Sequence, residues 1–181
     1  MTLGPKTPPV EIFNEQGHGR VVLLCEHASA HIPSEYNGLG LAEADRLSHA
    51  AWDPGARALT LALSAALDAP AVMSTVSRLV YDCNRPPEAA SAMPEKSELI
   101  AVPGNQGLSR ASRDARAASV YQPFCAAVSR VLDGRGPETV VVTVHSFTPV
   151  YCGKTRAVEI GLLHDEDSRL ADAMLGHTDC L

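Results

Sequence analysis

Two short runs of β-forming apolar residues constrain what this chain can fold into. VVLLC (21–25) sets Val21, Val22, Leu23 and Leu24 side by side, and TVVVTV (139–144) is the clearest run of its kind in the sequence. Uninterrupted apolar runs of this length read as strands buried on both faces, and such strands belong to parallel sheets covered by helices. Helical periodicity between the runs supplies the cover. Residues 41–50 have helical spacing, residues 54–67 carry Ala56, Leu59, Leu63 and Leu67 on one face, and residues 113–132 carry Val120, Phe124, Val128 and Leu132. Ala71-Val72-Met73, Ser77–Asp82 and RAVEIGLL (156–163) read as further extended segments, and 167–176 as a last helix. Strands that alternate with helices give a three-layer α/β/α fold with a mostly parallel mixed sheet. Residues 1–19, rich in Pro, Gly and polar groups, read as an N-terminal arm, and 20–181 as one domain. Residues 86–112 have little periodicity and read as a long loop.

Both strong strands run into an imidazole: Cys25-Glu26-His27 after the first, His145-Ser146 after the second. In open α/β sheets ligands bind beyond the carboxyl ends of the strands. Two imidazoles on that rim suit a zinc-type divalent ion, whose catalytic sites use three protein ligands and keep one position open. Asp53 in AWDPGA is the best-placed third ligand. It reads equally well as the N-cap of the helix that Pro54 opens. Glu26 adjoins His27, so on a continuing strand it points the other way. Arg78, Asp82, Asn84 and Arg85 cluster after a strand. They suit either an anchor for a carboxylate substrate or a structural ion pair between Asp82 and one arginine. Cys25 with His27 is a conceivable nucleophile pair, provided the thiol pKa is lowered.

Composition removes other classes. A net charge of -6 offers no basic face for nucleic acid, and no apolar run approaches the ~20 residues of a membrane span. Five scattered cysteines without a CxxC pair point to a reducing, cytoplasmic setting rather than a disulfide framework. GxGxxG after a strand, GxxxxGK[ST] and GxSxG are missing, so nucleotide and serine-hydrolase readings lack their motifs.

CEHASAHIP, AWDPGA, SRLVYDCNRP, VPGNQGLS and HSFTPV occur in the order and form of the N-formylglutamate amidohydrolase family. The chain resembles that family over about residues 20–170. The resemblance implies a phosphorylase/hydrolase-like fold akin to zinc carboxypeptidases. It also implies a metal-dependent amidohydrolase acting on the N-formyl or N-acyl amide of a small acidic substrate such as N-formylglutamate. Zinc would be the divalent metal, with His27, Asp53 and His145 as its ligands. Arg78, Asn84, Arg85 and Ser146 would bind substrate, and Glu26 and Arg85 would be catalytic. The carboxypeptidase pattern has a Glu three residues after its first His, where this chain has Ala30, so Glu26 remains an alternative third ligand. A C-terminal Glu-x-Arg element of the family has no counterpart before Leu181, and Cys125 stands where close members have a His. The expected domain therefore lacks its C-terminal part, and the general base falls to Glu26 or Glu159. The alternative outcome is a catalytically impaired, carboxylate-binding domain of the same fold.

Overall fold

In the computed structural model, which describes residues 7–151 and 153–177, the first strand lies in the segment read as an arm. β1 (Val10–Phe13) pairs antiparallel with Ala71–Ser74, and Val10 and Ile12 pack against the core. The alternation Val10, Ile12 across a short VEIF segment is enough for an edge strand once a partner exists. β2 (Val21–Cys25), β3 (Ala71–Ser74) and a strand at Val140–Thr143 are mutually parallel, with Leu24 opposite both Val72 and Thr143. The sheet order is β1-β3-β2 and then the Val140–Thr143 strand.

The helices between these strands are shorter or differently faced than periodicity suggests. Within 41–50 only α1 (Glu43–Arg46) is α-helical, preceded over Ser34–Gly40 by tight turns in which Asn37, Gly38 and Leu39 take left-handed backbone angles. α2 (Ala56–Leu67) buries Ala56, Thr60 and Ser64, whereas Leu59 and Leu67 are exposed. Small residues let the helix lie close on the sheet. The hydroxyls of Thr60 and Ser64 are satisfied by the carbonyls of Ala56 and Ala69, so their burial leaves no polar group unpaired. Ser77–Asp82 is not extended. It is a chain of turns, with Val80 and Tyr81 amides donating to the Ser77 carbonyl and Arg85 to that of Asp82. The long loop holds a small hairpin, β4 (Lys96–Ser97) and β5 (Ile100–Ala101). α3 (Arg110–Arg116), capped by the Ser109 hydroxyl, runs through a π-helical turn (Ala117–Tyr121) into α4 (Gln122–Asp133).

Alternate residues of β2 and β3 face opposite layers. Val22, Leu24 and Val72 join Phe124, Ala127 and Val131 of α4 in one core. Leu23, Cys25, Ala71 and Met73 join Ala56 of α2 in the other. This is the α/β/α arrangement with a four-stranded, mostly parallel sheet. β6 (Val140–Thr143) is an edge strand with half its residues exposed, not the doubly buried strand its composition suggests. The three parallel strands bring their carboxyl ends, and the turns that follow, to one rim.

Two compact units divide the chain, residues 1–147 and 148–181, whereas the sequence reads as one domain from residue 20. The second unit has a hairpin, β7 (Val150–Tyr151) with β8 (Lys154–Thr155), and α5 (Arg169–Leu175). RAVEIGLL forms no strand. Among the described residues no helix is long and apolar enough to cross a membrane.

Candidate metal centre

β2 stops at Cys25, so the strand alternation that would separate Glu26 from His27 no longer applies. Both are buried, at 4% and 2% exposure. The Asp53 amide donates to the His27 carbonyl, which ties the AWDPGA turn to the end of β2. Asp53 does not cap α2. The cap position belongs to Gly55, whose φ of 86° suits a residue without a side chain, and no side chain caps the helix. The carboxylate instead turns into the rim. Its Oδ2 lies 3.4 Å from His27 Nδ1, 3.0 Å from His145 Nδ1 and 3.2 Å from the Ser146 amide that donates to it. The two imidazole centroids are 4.9 Å apart. Residues 27, 53 and 145, drawn from three separate segments, thus each offer a ligand atom within 4.8 Å of the others.

Those separations can be compared with a zinc site. Ligands at 2.0–2.1 Å in a tetrahedron sit about 3.3 Å from one another. The Nδ1–Oδ2 distances of 3.4 and 3.0 Å are of that size. Two imidazole nitrogens and a carboxylate oxygen are also a donor set suited to zinc. His27 Nε2 lies 2.7 Å from Asp82 Oδ1. A carboxylate on the far nitrogen fixes the imidazole's orientation and tautomer, as it does for metal-ligating histidines. Arg78 bridges the two acids, donating from Nη1 to Asp53 Oδ1 at 3.3 Å and from Nη2 to Asp82 Oδ2 at 2.9 Å. Glu26 lies alongside: its Oε2 is buried without a hydrogen-bond partner, 3.6 Å from His145 Nε2. An orphaned buried carboxylate oxygen is costly and is suited to a ligand or proton that enters the cluster.

The protonation states follow from this network. Burial pushes the Asp53 carboxyl upward, but hydrogen bonds to His145 and His27 outweigh it and hold the group below the usual carboxylate range. Asp82 is lowered in the same way: burial opposes ionisation, and His27 and Arg78 overcome it. His27 is raised, since burial is outweighed by Asp53 and Asp82. The thiol reading fails on the same physics. Burial pushes Cys25 up to about 11 and Cys83 up to about 12, so neither is a thiolate at neutral pH.

The ion pair between Asp82 and an arginine is present, and the arginine is Arg78, whose guanidinium is partly exposed beside the cluster. Asn84 and Arg85 are exposed on the same loop. The Asn84 amide donates to Asp82 Oδ1, and the Arg85 side chain donates to the Asn84 carbonyl. Ser146 meets the cluster through its backbone amide. Glu159 is exposed in the second unit. His49 pairs with Glu98, and His18, His31, His164 and His177 are exposed. The residue that sequence reasoning undervalued is Asp82. Its signal was present, a carboxylate in the turn next to Asn84-Arg85, but not that it reaches His27 across 55 positions.

No curated protein matches the chain. Among solved structures, the chain superposes with a TM-score of 0.91 on the crystal structure of gene product Atu2144 from Agrobacterium tumefaciens, at 53% identity over 96% of this chain and 70% of that one. The family model of N-formylglutamate amidohydrolase matches residues 19–179, a span that contains the His27, Asp53, Asp82 and His145 cluster. The chain belongs to the N-formylglutamate amidohydrolase family.

Proposed function

We propose that this protein is a metal-dependent amidohydrolase that cleaves the N-formyl or N-acyl amide of an acidic amino acid, with N-formylglutamate as the reference substrate. The observation that carries the proposal is the convergence of His27, Asp53 and His145 on one rim of the sheet, with Asp82 behind His27. These three residues would hold a divalent ion, zinc by the chemistry of the donor set, on a zinc-carboxypeptidase-like fold. Such an ion, when bound, supplies Lewis-acid chemistry that polarises a carbonyl and makes water a stronger nucleophile.

The chain's own residues do the rest. Asp82 and Arg78 orient His27 and Asp53 so that their donor atoms are preset. Glu26 Oε2 has no competing hydrogen bond. It accepts the proton of the attacking water and returns it to the departing amine nitrogen, as a general base and then a general acid. Arg85 and Asn84, exposed on the turn after Asp82, grip the substrate carboxylate, the guanidinium fork matching its two oxygens. Ser146 bounds the site through the amide that holds Asp53. A small acidic molecule is the partner this chemistry recognises, in the cytoplasm.

The test is hydrolysis of N-formyl-L-glutamate with added Zn²⁺ or Co²⁺, beside metal analysis of His145→Ala. Turnover that is lost together with bound metal in the variant is the expected result. Absence of turnover on any N-acyl acidic amino acid, or full metal content in the variant, overturns it. Tight binding of N-formylglutamate without turnover selects a carboxylate-binding role instead.

A further inference from the structure

The motif VPGNQGLS (102–109) contributes nothing to the cluster directly, yet its asparagine is 1% exposed. Asn105 uses every part of its amide. Nδ2 donates to the carbonyl of Leu79 at 2.9 Å and to that of Pro94 at 2.8 Å, and Oδ1 accepts from Arg116 Nη1 at 2.6 Å. Arg116 is itself 6% exposed. Its Nη1 also reaches the Val80 carbonyl at 3.3 Å, its Nη2 donates to the Gly104 carbonyl at 2.9 Å, and its guanidinium carbon lies 5.0 Å from the centre of the Tyr36 ring. Among the described residues no carboxylate lies within ion-pair distance of it. Burying a cation without a counter-ion is expensive, and Arg116 sits where α3 gives way to a π-helical turn, an irregularity often tied to function.

Two of the four carbonyls held by this pair, those of Leu79 and Val80, lie between Arg78 and Asp82, the residues that orient Asp53 and His27. Backbone amides bind this stretch at the Ser77 carbonyl and at Asp82, and the carbonyls of Leu79 and Val80, which have no sheet ladder to join, are met by the Asn105 and Arg116 side chains. We propose that Asn105 and Arg116 form a buried polar clamp that positions the Arg78–Asp82 turn and so presets the His27 and Asp53 donors for a metal ion. They are positioning residues, acting through Arg78 and Asp82. The inference rests on the metal-centre reading above.

The experiment measures zinc affinity, by competition with a chromophoric chelator, for the full chain and for Asn105→Ala, Arg116→Gln and Val131→Ala. Val131 is a core residue of α4 on the sheet, so its truncation loosens the fold without touching the clamp. Folded Asn105→Ala and Arg116→Gln lose about tenfold in zinc affinity, the effect of removing a supporting partner of a metal ligand. Val131→Ala keeps the parental affinity, and amide exchange at 79–85 rises in the clamp variants alone. Should Asn105→Ala not fold, Arg116→Lys, which keeps the charge and removes the fork, is read in the same way. A parent that binds zinc while the clamp variants bind it equally well overturns the clamp and leaves the metal centre standing. An equal loss in Val131→Ala also overturns the clamp. A parent that takes up no zinc overturns the metal-centre reading and the clamp with it.

Discussion

TVVVTV (139–144) and RAVEIGLL (156–163) have similar β-forming content, and only the first becomes a strand. Val140–Thr143 lies in register along Val21–Leu24, where the backbone groups on its inner side have a ladder to join. Residues 156–163 have no strand partner among the described residues, and Ile160 and Leu163 are 76% and 93% exposed. The difference teaches that propensity and apolar pattern specify a strand only when a partner backbone is there to take up its hydrogen bonds. The first unit has that partner and two buried cores. The second has a two-residue hairpin and one short helix.

Truncation should separate the two regions most widely. Leu23→Ala, in the core between sheet and α2, is expected to destabilise the fold by about 2–5 kcal/mol, read from the urea midpoint at constant m-value. A loss under about 1 kcal/mol would mean the first unit is packed no better than the second. Next in size, Asp82→Asn leaves His27 without its carboxylate and should weaken zinc binding about 10–100-fold. Unchanged affinity in chelator competition would show that the rim is not preset by that contact.

A smaller effect is expected from pH in the chelated protein. Asp53 and Asp82 have folded pKa values below their unfolded ones, near 3.9, so the stability they contribute is present above about pH 4 and is lost as pH falls through the folded values. His27 is raised. Its contribution is complete below about pH 6.5 and is lost as pH rises through its folded value. Urea midpoints should therefore peak between roughly pH 4 and 6.5, and His27→Gln should flatten the alkaline side. A parental midpoint that keeps rising above pH 7 would contradict the network. The least effect is expected in the second unit. Leu163→Lys should change the unfolding free energy, read from the urea midpoint at constant m-value, by no more than about 0.5 kcal/mol, and a loss above about 2 kcal/mol would show that this leucine is buried in solution.

Much of the first unit was legible. β2, β3 and β6, the helical run through 113–132, and the pairing of His27 with His145 all follow from apolar runs and from where those runs end. What escaped was non-local or short. Val10–Phe13 is too brief to signal a strand without its partner at Ala71–Ser74. The inward face of α2 is Ala56, Thr60 and Ser64 because hydroxyls that bond their own helix or its end can be buried, which a hydrophobicity pattern does not register. Asp53 looked like a helix cap as much as a ligand, since the local sequence suits both.

The sequence by itself determined the layer type, the two strand ends that carry imidazoles and the family, because these depend on local runs and short ordered motifs. Only the tertiary structure decided that Asp53 faces the rim rather than capping its helix, that Asp82 supports His27, and that Arg78 serves the acids. Those choices depend on distances between segments 25 to 92 positions apart. A carboxylate takes whichever nitrogen the folded chain brings near it, and no local pattern records which one that will be.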